Sequence, residues 1–139
     1  MKESCWNDCI ESNSSIKITS DKAKAISLIE TAEGRIVYLK EAIIKEETAN
    51  YIFESIYTSI LELLHALTLK EGYKVQNHIC LGFYLKDVLK KDDLFRTFDD
   101  LRYKRNSITY YGKRMNYETA KKAIADAKKL IEKIKQINS

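Results

Sequence analysis

Between residues 102 and 114 the chain reads RYKRNSITYYGKR, which holds five cations, Arg102, Lys104, Arg105, Lys113 and Arg114, and no acid. Tyr103, Tyr110 and Tyr111 are interleaved with them, and Tyr117 follows. Cations that hold phosphates beside rings on which bases stack are the ingredients of sequence-tolerant RNA or nucleotide binding. A solvated helix end explains the same charges without a ligand: Asp99 lies three residues before Arg102, and cations favour the negative end of a helix. Arg105 is harder to dismiss. Leu94, Phe98, Leu101 and Ile108 recur at steps of four, three and seven, and Arg105 falls in the same series, so all five share one face of a 3.6-residue helix. An arginine there needs a partner or water, because a buried unpaired charge is costly. It either anchors a polar seam or is the working part of a site.

Other chemistry-bearing residues are sparse. His65 sits between Leu64 and Ala66 as a core-edge histidine, and His78 follows Asn77 at a helix start, where it is expected to be solvated. Glu62 and His65 form a lone Glu-x-x-His pair, and a di-metal carboxylate bundle needs two. Cys5 and Cys9 are four apart, and Cys80, His65 and His78 show no paired spacing to complete a zinc site. No metal or cofactor is expected. An odd number of cysteines in a chain of 139 residues reads as small thiols in a reducing compartment rather than a disulfide framework. There is no Gly-rich phosphate loop, no HExxH and no GxSxG elbow.

Charge is divided unevenly. Residues 1–101 carry 13 Lys or Arg against 17 Asp or Glu, whereas residues 102–139 carry 11 against 3, so an anionic partner would dock at the C-terminal end. The N-terminus MKESCWNDC has no apolar signal core, and no unbroken apolar run approaches the roughly 18 residues that span a bilayer. The expected location is the cytoplasm, without membrane association.

The elements that must position these residues are helical. There is no proline and there are four glycines, so punctuation is sparse and long helices are expected. Residues 1–19 read as a polar, loosely held arm and residues 20–139 as one helical domain. Within it, one amphipathic helix runs over about 21–44 behind a possible cap at Ser20 and Asp21, and a second runs from Ala49 to Gly72 after a break near KEET, 45–48. Asn77 can cap a short third helix, Asp92 or Asp93 can open a fourth that ends at Gly112, and Asn116 can cap a fifth. No segment sustains period-two alternation, so the expected class is all-α, a bundle with short connections.

The fourth helix ending LRYKRNSITYYG, a short basic loop and then NYETAKKAIADAKKLIEKI resemble the C-terminal half of the HEPN superfamily, small helical domains associated with nucleotide binding. The segments YIFESIYTSILELLHALTLKEGY and NHICLGFYLKDVL are compatible with that bundle. The resemblance implies an up-and-down four-helix bundle with an additional short helix, paired as a homodimer. The family signature is an arginine, a polar follower, then a histidine about five residues on; in members that cut RNA without metal, the arginine holds the phosphate and the histidine assists attack by the ribose 2′-hydroxyl. Arg105 and Asn106 match, but Tyr110 stands at the histidine position. A phenol with an ordinary pKa near 10 is a poor base at pH 7.

The resemblance therefore implies a nucleotide- or RNA-phosphate-binding dimer, with Arg102, Arg105, Tyr111 and Arg114 as binding residues and Asn106 and Tyr110 beside them. Such proteins accompany a nucleotidyltransferase-type partner, as toxin with antitoxin or as a substrate-binding subunit. Two alternatives stay open: a metal-independent ribonuclease toxin in which Arg105, Asn106 and Tyr110 are catalytic, and a structural dimer in which they form only a polar seam.

Overall fold

Short polar side chains start the helices where the sequence places them. Asp21 accepts a hydrogen bond from the Lys24 N–H (3.0 Å), Asn77 from Cys80 (3.0 Å) and Asn116 from Thr119 (2.9 Å), each satisfying a donor that the first helical turn leaves free. The computed structural model describes residues 2–138, so residues 1 and 139, the ends of the two expected segments, lie outside it. In chain order the elements are α1 (Trp6–Glu11), β1 (Ser15–Lys17), α2 (Lys22–Lys40), α3 (Ala49–Lys70), β2 (Tyr73–Val75), α4 (His78–Phe83) with a π-helical turn at Tyr84–Val88, α5 (Asp92–Tyr111) and α6 (Tyr117–Asn138). The protein is mostly helical, as the periodicity predicts.

The α3 helix is the axis of the core. It buries Ile52, Phe53, Ile56, Tyr57, Ile60, Leu63, Leu64 and Leu67, and α2, α4, α5 and α6 all pack on it. On the α6 side, Ala120, Ala123 and Ala127 are buried with Ile124, Leu130, Ile131 and Ile134, the small residues letting two backbones approach while the larger ones fill the space between. By length and mean hydropathy (1.3), α3 is apolar enough to cross a membrane although its sequence has no unbroken apolar run; 67% of that window is buried inside the protein, as in a soluble core helix. Polar contacts pin α2 to it: Arg35 forms an ion pair with Glu62 and donates to Ser59 (3.4 Å). Glu62 is thereby committed to an arginine, and among the described residues no His, Cys, Asp and Glu cluster is arranged to hold a metal.

The N-terminal segment differs from the loose arm expected of its polarity. β1 pairs antiparallel with β2 in the register Ser15↔Val75, Ile16↔Lys74 and Lys17↔Tyr73, and backbone bonds from Ile18 to Gly72 and from Gln76 to Ser14 extend the pairing. Trp6 packs edge-on against Tyr73 (5.2 Å) and Tyr84 (5.1 Å), while its backbone N–H donates to the Asp87 carboxylate (2.8 Å). Three-residue strands are too short to show alternation, and their partners are more than fifty residues away, so neither local propensity nor local pattern announces them. The thiol expectation is also corrected: Cys9 and Cys80 are joined in a disulfide across 71 residues, both fully buried, with Cys5 free. That bond removes the cysteine count as an argument for a reducing compartment.

Gly72 makes the strand entry possible. Its φ is +86°, and a Cβ there would lie 2.8 Å from the Ile18 carbonyl oxygen, which the backbone pairing holds in place. Gly112, with φ +64°, closes α5, its N–H donating to Ile108 (3.2 Å) and the Lys113 N–H to Ser107 (2.9 Å). The loop that follows is clasped to α3 from both sides of one amide: Asn50 donates to the Met115 carbonyl (3.0 Å) and accepts from the Met115 N–H (2.9 Å). The end of α5 is thus held at a set depth against α3.

Candidate functional site

The inner stripe of α5 behaves as its spacing predicts. Leu94, Phe98 and Leu101 are buried, and Arg105 and Ile108 continue the stripe as partly buried residues. Arg105 stands between two rings, its guanidinium carbon 5.7 Å from the centre of Tyr57 on α3 and 5.8 Å from that of Tyr110. It also donates to the Asn106 amide oxygen (3.3 Å). Other basic residues of α5 have carboxylates: Arg96 has Asp92 (3.0 Å), Arg102 has Asp99 (2.8 Å) and Lys104 has Asp100. Among the described residues none lies within ion-pair distance of Arg105, so two π faces and one neutral amide are what hold its charge.

Next to it lies an open cleft of about 650 Å³. One wall is the α5 face carrying Phe95, Asp99, Arg102, Asn106 and Tyr110, residues that recur at three and four and so align along the helix. The other wall is Gln76–Ile79 at the junction of β2 with α4, and Lys2 and Glu3 form the rim. Glu3 accepts from Ser14 (2.9 Å) and Ser12 (3.4 Å), bonds that hold its carboxyl below the usual range, those with Ser14 foremost. Arg105 is not on the cleft wall; it supports it from behind, through Tyr110 and Asn106.

The structure adds a residue that the sequence alone misplaces. His78 does begin α4, but it is partly buried and lines the cleft. Its Nδ1 lies 3.3 Å from the Tyr57 hydroxyl. Tyr57 is almost fully buried, its ring stacked on Phe98 (6.0 Å, 6°), and burial pushes its phenol well above the ordinary value, only partly offset by the Arg105 and Arg102 charges. The phenol therefore keeps its proton and can donate to Nδ1 of the tautomer that carries its hydrogen on Nε2; in the other tautomer the Nδ1–H donates to the phenol oxygen. Burial, then the positive charge of Arg105, depress the His78 pKa to about 4, so the ring is neutral at pH 7. No spacing rule links positions 57, 78 and 105; only the fold brings them together. His65, by contrast, stays a core-edge residue with a pKa lowered by burial and then by Lys24.

The expected binding residues separate into two groups. Arg102, Asn106 and Tyr110 line the cleft with Arg105 behind them, whereas Tyr111 and Arg114 are exposed at the end of α5 and beyond it and do not reach the cleft wall. With His78 on the opposite wall, the first group lines the cleft with polar groups that can meet an anion: guanidinium, amide, phenol and a neutral imidazole. Comparison of the chain with protein-family models, with curated proteins and with solved structures finds no match.

Proposed function

We propose that this protein binds the phosphate of a nucleotide or of RNA in the cleft between α5 and the β2–α4 junction, with Arg102, Asn106, Tyr110 and His78 as the contacting groups and Arg105 as the charge behind them. The observation that carries this reading is Arg105 itself. A partly buried guanidinium held by rings and an amide, without a carboxylate among the described residues, leaves a positive field that an anion can complete. The reading includes a HEPN-like arrangement, with α2, α3, α5 and α6 as the four long helices and α4 as the short one. It also includes a homodimer that works beside a nucleotidyltransferase-type partner, as the sequence resemblance implies.

The same geometry weighs against the ribonuclease alternative. Cleavage needs a base to take the proton of the ribose 2′-hydroxyl as a cyclic phosphate forms and the 5′-oxygen leaves. The Tyr110 hydroxyl has no hydrogen-bond partner among the described residues to take its proton, and His78 has Nδ1 engaged with Tyr57 and a pKa too low for an efficient base.

Fluorescence anisotropy with a labelled oligouridylate tests the proposal. Binding should weaken as salt is raised, by counterion release, and Arg105→Ala should weaken it about tenfold or more at low salt while leaving the helical circular dichroism intact. RNA fragments appearing in EDTA, and lost with Arg105→Ala, would transfer the assignment to cleavage. An Arg105→Ala protein that binds RNA normally but loses its dimer would transfer it to the structural seam.

A further inference from the structure

Arg102 is the arginine of the cleft wall and one of the proposed phosphate contacts, and it is already occupied. Its Nε–H and one terminal N–H both donate to a single oxygen of Asp99, at 3.0 and 2.8 Å. Both side chains line the cleft, and the carboxylate is the more open of the two, 41% exposed against 27%. The other Asp99 oxygen accepts no hydrogen bond among the described residues, so the carboxylate is anchored only by the arginine. The charges of both residues reach the interior of the site: the buried Tyr57 phenol feels Arg102 and Asp99 with opposite sign.

We propose that Asp99 is a selectivity residue of this cleft: it occupies the Arg102 guanidinium against small anions and yields it to a strand that carries several phosphates. This inference rests on the phosphate-binding reading above. The physical argument is one of competing charges. A partly exposed pair three residues apart on a helix, with one carboxylate oxygen engaged, is weak enough to be exchanged. To a small anion, however, the Asp99 carboxylate repels about as strongly as Arg102 attracts, which leaves the field of Arg105 behind the wall and the neutral groups Asn106, Tyr110 and His78 to hold it. A strand brings further phosphates, which meet Lys2 at the rim while Arg105 attracts from behind the wall, so displacement of Asp99 is supported by several interactions at once. The pairing therefore lowers affinity for every anion, but least for the one that makes the most contacts.

The test is a comparison of two probes, inorganic phosphate and a labelled oligouridylate of six nucleotides, on the full-length protein at low salt. In Asp99→Asn the repulsion is gone and the shape is kept. Inorganic phosphate should then bind about tenfold more tightly and the oligonucleotide only about threefold, so that discrimination between them falls. Asp99→Ser should behave in the same way, which guards against a fault specific to one substitution. In the double variant Asp99→Asn, Arg102→Ala the gain should vanish, because it is Arg102 that Asp99 releases. Unchanged or weaker binding in both Asp99 variants overturns the inference, as does an equal gain for the two probes. If the wild-type protein binds neither probe and Arg105→Ala changes nothing, the phosphate-binding reading itself fails and takes this inference with it.

Discussion

The α3 helix presents two unlike faces. Toward α6 it meets buried alanines, leucines and isoleucines along most of its length, with polar contacts at the end, where the Asn138 side-chain amide donates to the Leu63 carbonyl and its backbone carbonyl accepts from Lys70. Toward α4 and α5 it meets Phe98, but also His78 and Arg105, through the one residue Tyr57 that touches all three. The first face is what a helical protein requires in order to fold. The second holds a neutral imidazole, a raised phenol and an unpaired guanidinium close together, an arrangement that contributes little to stability and costs desolvation. Polar groups kept at such a cost mark the face on which an external ligand is expected to act.

The covalent fastening lies on the second side, and breaking it should have the largest effect of all. The Cys9–Cys80 bond ties α1 to the helix that carries His78 and closes a loop of 71 residues, which on chain entropy corresponds to about 4 kcal/mol. Urea denaturation with and without dithiothreitol, and of Cys9→Ser, measures it. Stability that does not respond to reductant would mean that the bond contributes nothing in solution, and the N-terminal segment would then be held by its strand and Trp6 alone.

Substitution on the first face comes next in size. Leu130→Ala removes a buried side chain from α6 and should lower stability by about 3 kcal/mol. Oligouridylate affinity, measured where the variant is still folded, should stay within about twofold of wild type. Arg105→Ala is its mirror image, a large loss of affinity with little loss of stability. If Leu130→Ala weakened binding as much as Arg105→Ala does, the two faces would not be separable and the division drawn here would fall.

The difference between the faces also explains what could be read from the sequence. The α6 face was visible because Ala120, Ala123, Ile124, Ala127, Leu130, Ile131 and Ile134 repeat at helical spacing, and the α5 stripe with Arg105 on it was visible for the same reason. Helix starts at Asp21, Asn77 and Asn116, and stops at Gly72 and Gly112, followed from residue types with one local role each. The missed features are those that depend on pairs remote in the chain. Ser15 with Val75, Cys9 with Cys80 and Tyr57 with His78 are separated by at least twenty residues, and nothing local in any of them announces its partner. His78 in particular carries one local clue, the cap beside it, and that clue implies solvation. The wall of the cleft opposite α5 was therefore hidden until the chain was folded.

The smallest expected effect tests the polar face from within. A histidine whose folded pKa lies near 4 and whose unfolded pKa is 6.5 binds its proton more readily in the unfolded chain, so between those values acid favours unfolding. The stabilisation is fully present above pH 6.5 and is lost as pH falls toward 4; His65, shifted the same way, adds to it. With allowance for solvent the His78 share should be about 1–2 kcal/mol, read as the difference in pH dependence between wild type and His78→Gln from thermal melts at pH 7 and 4.5. Tyr57→Phe then resolves the hydrogen bond. If the phenol donates to Nδ1, it stabilises the neutral ring, and its removal should raise the His78 pKa by up to about one unit, measured by NMR titration of the imidazole. A pKa that falls instead would mean that the imidazole is the donor. The lone pair on the other nitrogen would then be free to take a proton, and the geometric objection to cleavage would be withdrawn.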